Sequence, residues 1–333
     1  MMTQTRYDVL AIGNAIVDVI SDADDAFIEA QKLNKGGMTL IDADRAQSLY
    51  DAMGPGREIS GGSAANTLAG LSRLGHKTAF IGQVAQDQLG DVFAHDIRAT
   101  GIDFDVPARP GQPPTARCLI LVTPDAQRTM NTFLGAAQFL PETAIDKGKI
   151  EDSAWLYLEG YLWNAPESRA AMTGAIAIAK SAGRKVALTL SDAFVVDGHR
   201  DEFFALMADG SLDLLFANDT EVRAMMQTDD TEAAVAALAQ RVPMLVCTHG
   251  AAGAEAHRGA EHARVPAETI DRVVDTTGAG DLFAAGVFAG LAEGRSLEAC
   301  LTMGAVCAAE VISHYGARPE ADIRKMVDER LGA

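Results

Sequence analysis

The chain has few cysteines and no metal or redox pattern among them. Cys118, Cys247, Cys300 and Cys307 include no CxxC pair, which excludes zinc-ribbon and thioredoxin-type spacing. Cys300 and Cys307 sit in an apolar helical stretch, where a free thiol packs as a small hydrophobe. Long apolar runs are also missing. Tyr7 to Ile20 is broken by Asp8, Asn14 and Asp18, and nothing approaches the ~18–20 residues of a membrane span or the pattern of a signal peptide. Basic charge is scarce: 28 Lys and Arg stand against 46 Asp and Glu, a formal net charge of -18. Such a surface repels nucleic acid and anionic lipid. These absences predict a cytoplasmic protein with neither nucleic-acid nor membrane partners. No G-x-x-x-x-G-K-[ST] string occurs, and no G-x-G-x-x-G follows the first strand, which excludes a P-loop and argues against a dinucleotide-dependent dehydrogenase. The seven histidines show no ligand spacing and read mostly as surface residues.

What remains is a chain of 333 residues, 48% hydrophobic, enough for one large domain with a smaller unit. Trp155–Leu158, Lys185–Leu190, Leu212–Phe216 and Met244–Thr248 read as strands. Helical patterns such as Glu167–Ser181 and Thr231–Gln240 alternate with them, the rhythm of βαβ units and a mostly parallel sheet. Tyr7–Gly13 reads as a further buried strand. Ala15–Ile20, Met38–Ile41, Thr115–Thr123 and Arg128–Phe133 lie outside that rhythm. The last two form a hairpin about Pro124-Asp125-Ala126-Gln127, and together these runs predict a small sheet covering the main domain. The expected division gives residues 1–13, 42–114 and 134–333 to the large unit, and 14–41 and 115–133 to a β-sheet lid. Small residues in Ala279–Glu293 and Ser296–Ser313 predict two closely packed helices.

Three motifs carry chemistry. In Gly278-Ala279-Gly280-Asp281, Val273-Val274 reads as the end of a strand and Leu282–Phe288 as the start of a helix. The first amides of a helix lack internal partners and, with the helix dipole, attract anions. A carboxylate there, Asp281, suits general-base work on a hydroxyl, although for an isolated G-x-G-D a first-turn acid that merely stabilises its helix is the commoner case. Gly61-Gly62-Ser63-Ala64-Ala65-Asn66 opens a second helix. Its glycines admit a polyhydroxylated ligand and Asn66 offers donor and acceptor, while a glycine turn capped by Ser63 is the plainer alternative. Asn218-Asp219-Thr220-Glu221 follows a strand end, where oxygens can hold hydrated Mg2+ or simply cap a helix.

Taken together with Thr248-His249-Gly250 and the full string Asp275-Thr276-Thr277-Gly278-Ala279-Gly280-Asp281, this order of motifs resembles the PfkB, or ribokinase-like, carbohydrate kinases, from about Asp8 to Gly316. The resemblance implies a three-layer α/β/α domain with a β-sheet lid that transfers the γ-phosphoryl group of ATP, with Mg2+, to a primary hydroxyl. It implies Asp281 as base and Gly278, Ala279 and Gly280 as anion hole. It further implies Asn218 and Glu221 at Mg2+ through water, and Asn218, Thr248 and Gly250 at the nucleotide. Asn14, Asp18, Gly61, Gly62 and Asn66 would hold the acceptor. Members of the family often bind a monovalent cation, so K+ joins the implied cofactors, and both monomers and homodimers occur.

Asn14–Asp18, Arg128–Ala137 and Glu159-Gly160-Tyr161 resemble the adenosine kinase branch. That likeness implies the adenosine 5′-hydroxyl as acceptor, a purine-salvage role, Arg128 near the transferred phosphate and Tyr161 as a wall for the base. Ile16, Met38, Leu134 and Phe194 could enclose a purine or belong to the core. Thr277 departs from that branch, which usually has Asn there, and points toward sugar kinases acting on ribose, fructose or a keto-deoxy sugar acid such as 2-keto-3-deoxygluconate. A non-catalytic nucleoside- or sugar-binding protein is the alternative from another class.

Overall fold

Short, wholly apolar runs form the centre of the fold. The computed structural model describes residues 5–125 and 127–332, so Ala126 of the predicted turn lies outside the described residues. Thirteen strands appear there: β1 Tyr7–Ile12, β2 Ile16–Asp22, β3 Met38–Leu40, β4 Arg57–Gly61, β5 Thr78–Ile81, β6 Ala116–Val122, β7 Arg128–Phe133, β8 Ser153–Glu159, β9 Lys185–Thr189, β10 Leu214–Asn218, β11 Met244–Thr248, β12 Ala254–Arg258 and β13 Glu261–Val265.

Eight of them form one sheet in the order β13-β12-β11-β10-β9-β8-β1-β5. Its six strands from β11 to β5 run parallel, and the hairpin β12–β13 adds an antiparallel edge. Residues such as Leu10, Leu156, Leu188, Leu215 and Leu245 are fully buried, as expected for parallel strands covered by helices on both faces. The helices Pro166–Ser181 and Thr231–Ala239 follow the predicted alternation.

The other five strands form a separate sheet in the order β3-β7-β6-β2-β4. It contains the expected runs near 16–22, 38–40 and 116–133, with β6 and β7 pairing as a hairpin from Arg117↔Phe133 to Val122↔Arg128. It also contains β4, in residues that the sequence reading allotted to the large unit. Arg57–Gly61 pairs antiparallel with β2. Two further expectations need correcting. Val273 and Val274 belong to no strand; Val274 N–H donates instead to the Ile312 carbonyl at 2.8 Å, at the end of a helix. The histidines are mostly not superficial: the side chains of His76, His199, His249 and His314 are at most 15% exposed.

The helix Ala279–Ala292 is apolar all round and buried from Leu282 to Gly290, the pattern of a helix enclosed by others. Glycines let its neighbours approach. A Cβ on Gly286 would come within 2.4 Å of the Met303 backbone in the helix Leu297–Val311, and one on Gly70 in the helix Ser63–Arg73 within 2.6 Å of Leu282. This packing fixes where the helix begins, and its first turn carries Asp281. Among the described residues no helix is long and apolar enough to cross a membrane.

Candidate active site

A cleft of about 780 Å³ opens between the two sheets. Its floor is the carboxyl edge of the parallel strands: Asn14 just past β1, Glu159 of β8, Thr189 of β9, Asn218 of β10 and Thr248 of β11 all line it. Ligands of open α/β sheets bind at this edge. Ile16, Asp18, Cys118, Met130 and Thr132 face it from the small sheet, with Met38 and Leu40 at that sheet's outer strand.

Asp281 lies between the helices Ala279–Ala292 and Ser63–Arg73. Ser63 Oγ donates to its Oδ1 at 2.6 Å, and Asn66 Nδ2 to its Oδ2 at 3.1 Å. Burial pushes the carboxyl above its ordinary range, opposed by Ser63, Asn66 and the Arg318 charge. A carboxylate has about four lone-pair sites, so these two bonds leave it able to accept a further proton donor. Ser63 does not cap its helix; Gly62 occupies that position with φ +98° and no side-chain bond. The glycine is required there, because a Cβ would stand 2.2 Å from the Asn14 carbonyl.

Gly278, Ala279 and Gly280 all line the cleft. Gly278 has φ +79°, and a Cβ on it would meet Ala317 at 2.7 Å, whereas one on Gly280 meets nothing within 4 Å. Asp275 supports this turn from below. Its carboxylate accepts from the amides of Thr277 at 3.0 Å and Gly316 at 3.1 Å and pairs with Arg128. Both side chains of that pair are buried. Arg128 is thus engaged beneath the turn and is not among the cleft-lining residues.

Asn218 and Glu221 form a reciprocal cap. Asn218 Nδ2 and N–H donate to the Glu221 carboxylate at 2.7 and 3.0 Å, while Asn218 Oδ1 accepts from the Thr220 and Glu221 amides. Burial raises the Glu221 carboxyl to about 7. Both residues line the cleft, yet their polar atoms already serve one another. The pair therefore fits Mg2+ held through its water shell rather than by direct ligation, since this ion keeps several waters.

Most residues singled out from sequence meet in this cleft: Asn14, Asp18, Gly62, Asn66, Tyr161, Asn218, Glu221, Thr248 and Gly278 to Asp281 line it, while Gly61, Arg128 and Gly250 do not. Gly61 lies against Asp18, whose carboxylate would be 2.5 Å from an added Cβ. Tyr161 and Phe194 form an aromatic pair with ring centres 6.1 Å apart, and Ile16, Met38 and Leu134 extend the apolar lining. Three contributors were given no role by the sequence, although Glu159 stands in the quoted string Glu159-Gly160-Tyr161. Glu159, raised to about 7 by burial, accepts from Asn14 Nδ2 at 2.6 Å and the Ala64 amide at 3.0 Å. Arg318 Nε donates to Asn66 Oδ1 at 3.0 Å, and its Nη2 to Ser60 O at 2.6 Å. Asp192 lines the cleft beside Phe194. Asp18, half-buried near the Arg128 and Arg318 charges, is raised to about 6, chiefly by desolvation.

A helix-flanked parallel sheet, a second sheet across its carboxyl edge and an Asp at a glycine-led helix start define a ribokinase-like α/β protein. The profile of the pfkB family of carbohydrate kinases matches residues 9–324, and the chain belongs to that family. It is accordingly a phosphotransferase acting on hydroxyl groups. The adenosine kinase of Sinorhizobium meliloti superposes with a TM-score of 0.90 at 46% identity, over 98% of this chain and all of that one. The chain is 25% identical over 332 residues to adenosine kinase of Saccharomyces cerevisiae, covering 92% of this chain and 95% of that protein. It is 30% identical over 280 residues to an ATP-dependent ribose-1-phosphate kinase of Halopiger xanaduensis, covering 83% and 88%.

Proposed function

We propose that the protein transfers the γ-phosphoryl group of ATP to a primary hydroxyl of a nucleoside or sugar, with the 5′-hydroxyl of adenosine as the preferred acceptor. The observation that carries this reading is the half-buried Asp281, held by Ser63 and Asn66 at the start of a helix that faces a cleft with both polar and aromatic walls.

The acceptor hydroxyl oxygen attacks Pγ as its proton passes to Asp281, and the bond from Pγ to the β-bridging oxygen breaks to release ADP. A raised carboxyl is the better proton acceptor near neutrality. Amides of Gly278 to Gly280 face the charge that develops on the phosphoryl oxygens. Asn14, Asp18, Gly62 and Asn66 orient the acceptor, and Tyr161 with Phe194 flanks its apolar face. Thr248 and Gly250 take the nucleotide. Arg128 supports the anion turn through Asp275. Glu221 and Asn218 would hold Mg2+ through water, where it would offset phosphate charge. K+ near Asp275 belongs to the same proposal, as do a division into a large domain with a β-sheet lid, a cytoplasmic location, a purine-salvage role, a monomeric or homodimeric state, and independence from nucleic acid and membrane.

A second reading is a sugar kinase, favoured by Thr277 and by the likeness to a ribose-1-phosphate kinase. A panel of adenosine, inosine, guanosine, ribose, fructose and 2-keto-3-deoxygluconate, scored by ADP release, separates the two. Adenosine should give the highest kcat/KM. Turnover only with a sugar would replace the first reading by the second. Adenosine binding with no ATP consumption in the presence of any acceptor would overturn both.

A further inference from the structure

Away from the cleft, the edge hairpin gathers two imidazoles about one carboxylate. His257 on β12 pairs directly with His262 on β13, and Glu255 lies two residues before His257, on the same face of the strand. The two rings stack with centres 4.3 Å apart. His257 Nε2 and His262 Nε2 both meet Glu255 Oε2, at 2.9 and 3.0 Å. The ligand atoms of the three residues lie within 4.8 Å of one another. None of the three lines the cleft.

We propose that Glu255, His257 and His262 form a binding site for a divalent transition-metal ion of the zinc class, with Oε2 and the two Nε2 atoms as ligands and water completing the shell. Two imidazoles and one carboxylate are a recurrent donor set for such ions. Bond lengths near 2.05 Å in a tetrahedron set ligand atoms roughly 3.3 Å apart, so the observed 2.9 and 3.0 Å require an opening of only a few tenths of an ångström. His262 is half exposed and His257 partly so, which admits the ion from solvent. Glu255 is oriented from the other side, because His249 Nε2 meets its Oε1 at 2.9 Å. His249 is therefore a positioning residue, as partners outside the ligand set commonly are. The neighbouring group of Asp219, Cys247 and His249 is a weaker candidate, since both His249 nitrogens already have carboxylate partners.

The test uses the full chain stripped of metal, without nucleotide, titrated with Zn2+ by calorimetry and with Co2+ by visible absorption. One ion per chain is expected. His257→Ala and His262→Ala should each weaken Zn2+ binding by at least about tenfold, and His249→Ala by about tenfold with the stoichiometry kept. His95→Ala should change nothing. Circular dichroism of each variant confirms its fold. The proposal is overturned if the wild type shows no saturable Zn2+ binding, if binding survives in the His257→Ala/His262→Ala double variant, or if Cys247→Ser rather than these changes abolishes it.

Discussion

Ser63 Oγ donates to Asp281 Oδ1 at 2.6 Å across 218 positions of sequence. The bond joins the starts of two helices, and it stabilises the charged form of the carboxylate that the proposed chemistry uses as base.

Asp281→Asn removes the proton acceptor while keeping a side chain of the same shape. Turnover should fall by at least ~10²-fold with the acceptor KM little changed. Steady-state kinetics over both substrates checks this, and near-normal turnover would remove Asp281 from the mechanism.

Ser63→Ala deletes one bond to that carboxylate. The bond lowers the Asp281 pKa, so its loss raises it further. The acid limb of the kcat/KM profile, measured by steady-state kinetics across pH, should then move to higher pH; an unmoved limb would remove Ser63 from this role.

Gly280→Ala and Gly278→Ala should part company. A methyl on Gly280 meets nothing in the protein and favours the helix by about 1 kcal/mol, yet it points into the anion turn. Its thermal midpoint should hold or rise while kcat falls. Gly278→Ala combines a left-handed backbone with a clash against Ala317, so both midpoint and kcat should drop.

Stability should respond to Glu159 and Glu221. Both are raised by burial from 4.5 to about 7, so across that window the folded chain binds more protons than the unfolded one. Their contribution is complete below about 4.5 and is lost as pH rises through about 7. The thermal midpoint, measured by calorimetry from about pH 5 to 8, should decline with pH from this source. Glu159→Gln or Glu221→Gln should each flatten the decline, whatever it does to the absolute midpoint.

The parallel strands were legible because burial on both faces leaves runs such as Met244–Thr248 almost free of polar residues. The hairpin Arg128–Phe133 was legible from its turn and its β-rich composition. Arg57–Gly61 was not, because its run Arg-Glu-Ile-Ser-Gly is short, polar and half exposed; only pairing with β2 makes it a strand. Val273-Val274 misled for the converse reason, since two β-branched residues carry strand propensity but find a helix end as partner. Site residues inside glycine-rich strings could be named from sequence. Arg318 and Glu159 could not, because their importance lies in buried bonds to Asn66, Ser60, Asn14 and Ala64 made across the fold. His257 and His262 are five apart and unremarkable in sequence until the hairpin register sets them face to face.

The seam between the two sheets has a mechanical consequence. β1 ends at Ile12 and β2 begins at Ile16, while β4 ends at Gly61 and its helix begins at Ser63. Tethers this short leave the two sheets almost no room to slide past one another, with Gly62 in a conformation only glycine adopts easily. Met38 and Leu40 stand four strands away from β4, roughly 19 Å at ordinary strand spacing. Any swing of the small sheet therefore sweeps its apolar rim through a long arc while the polar groups beside Asp281 scarcely move.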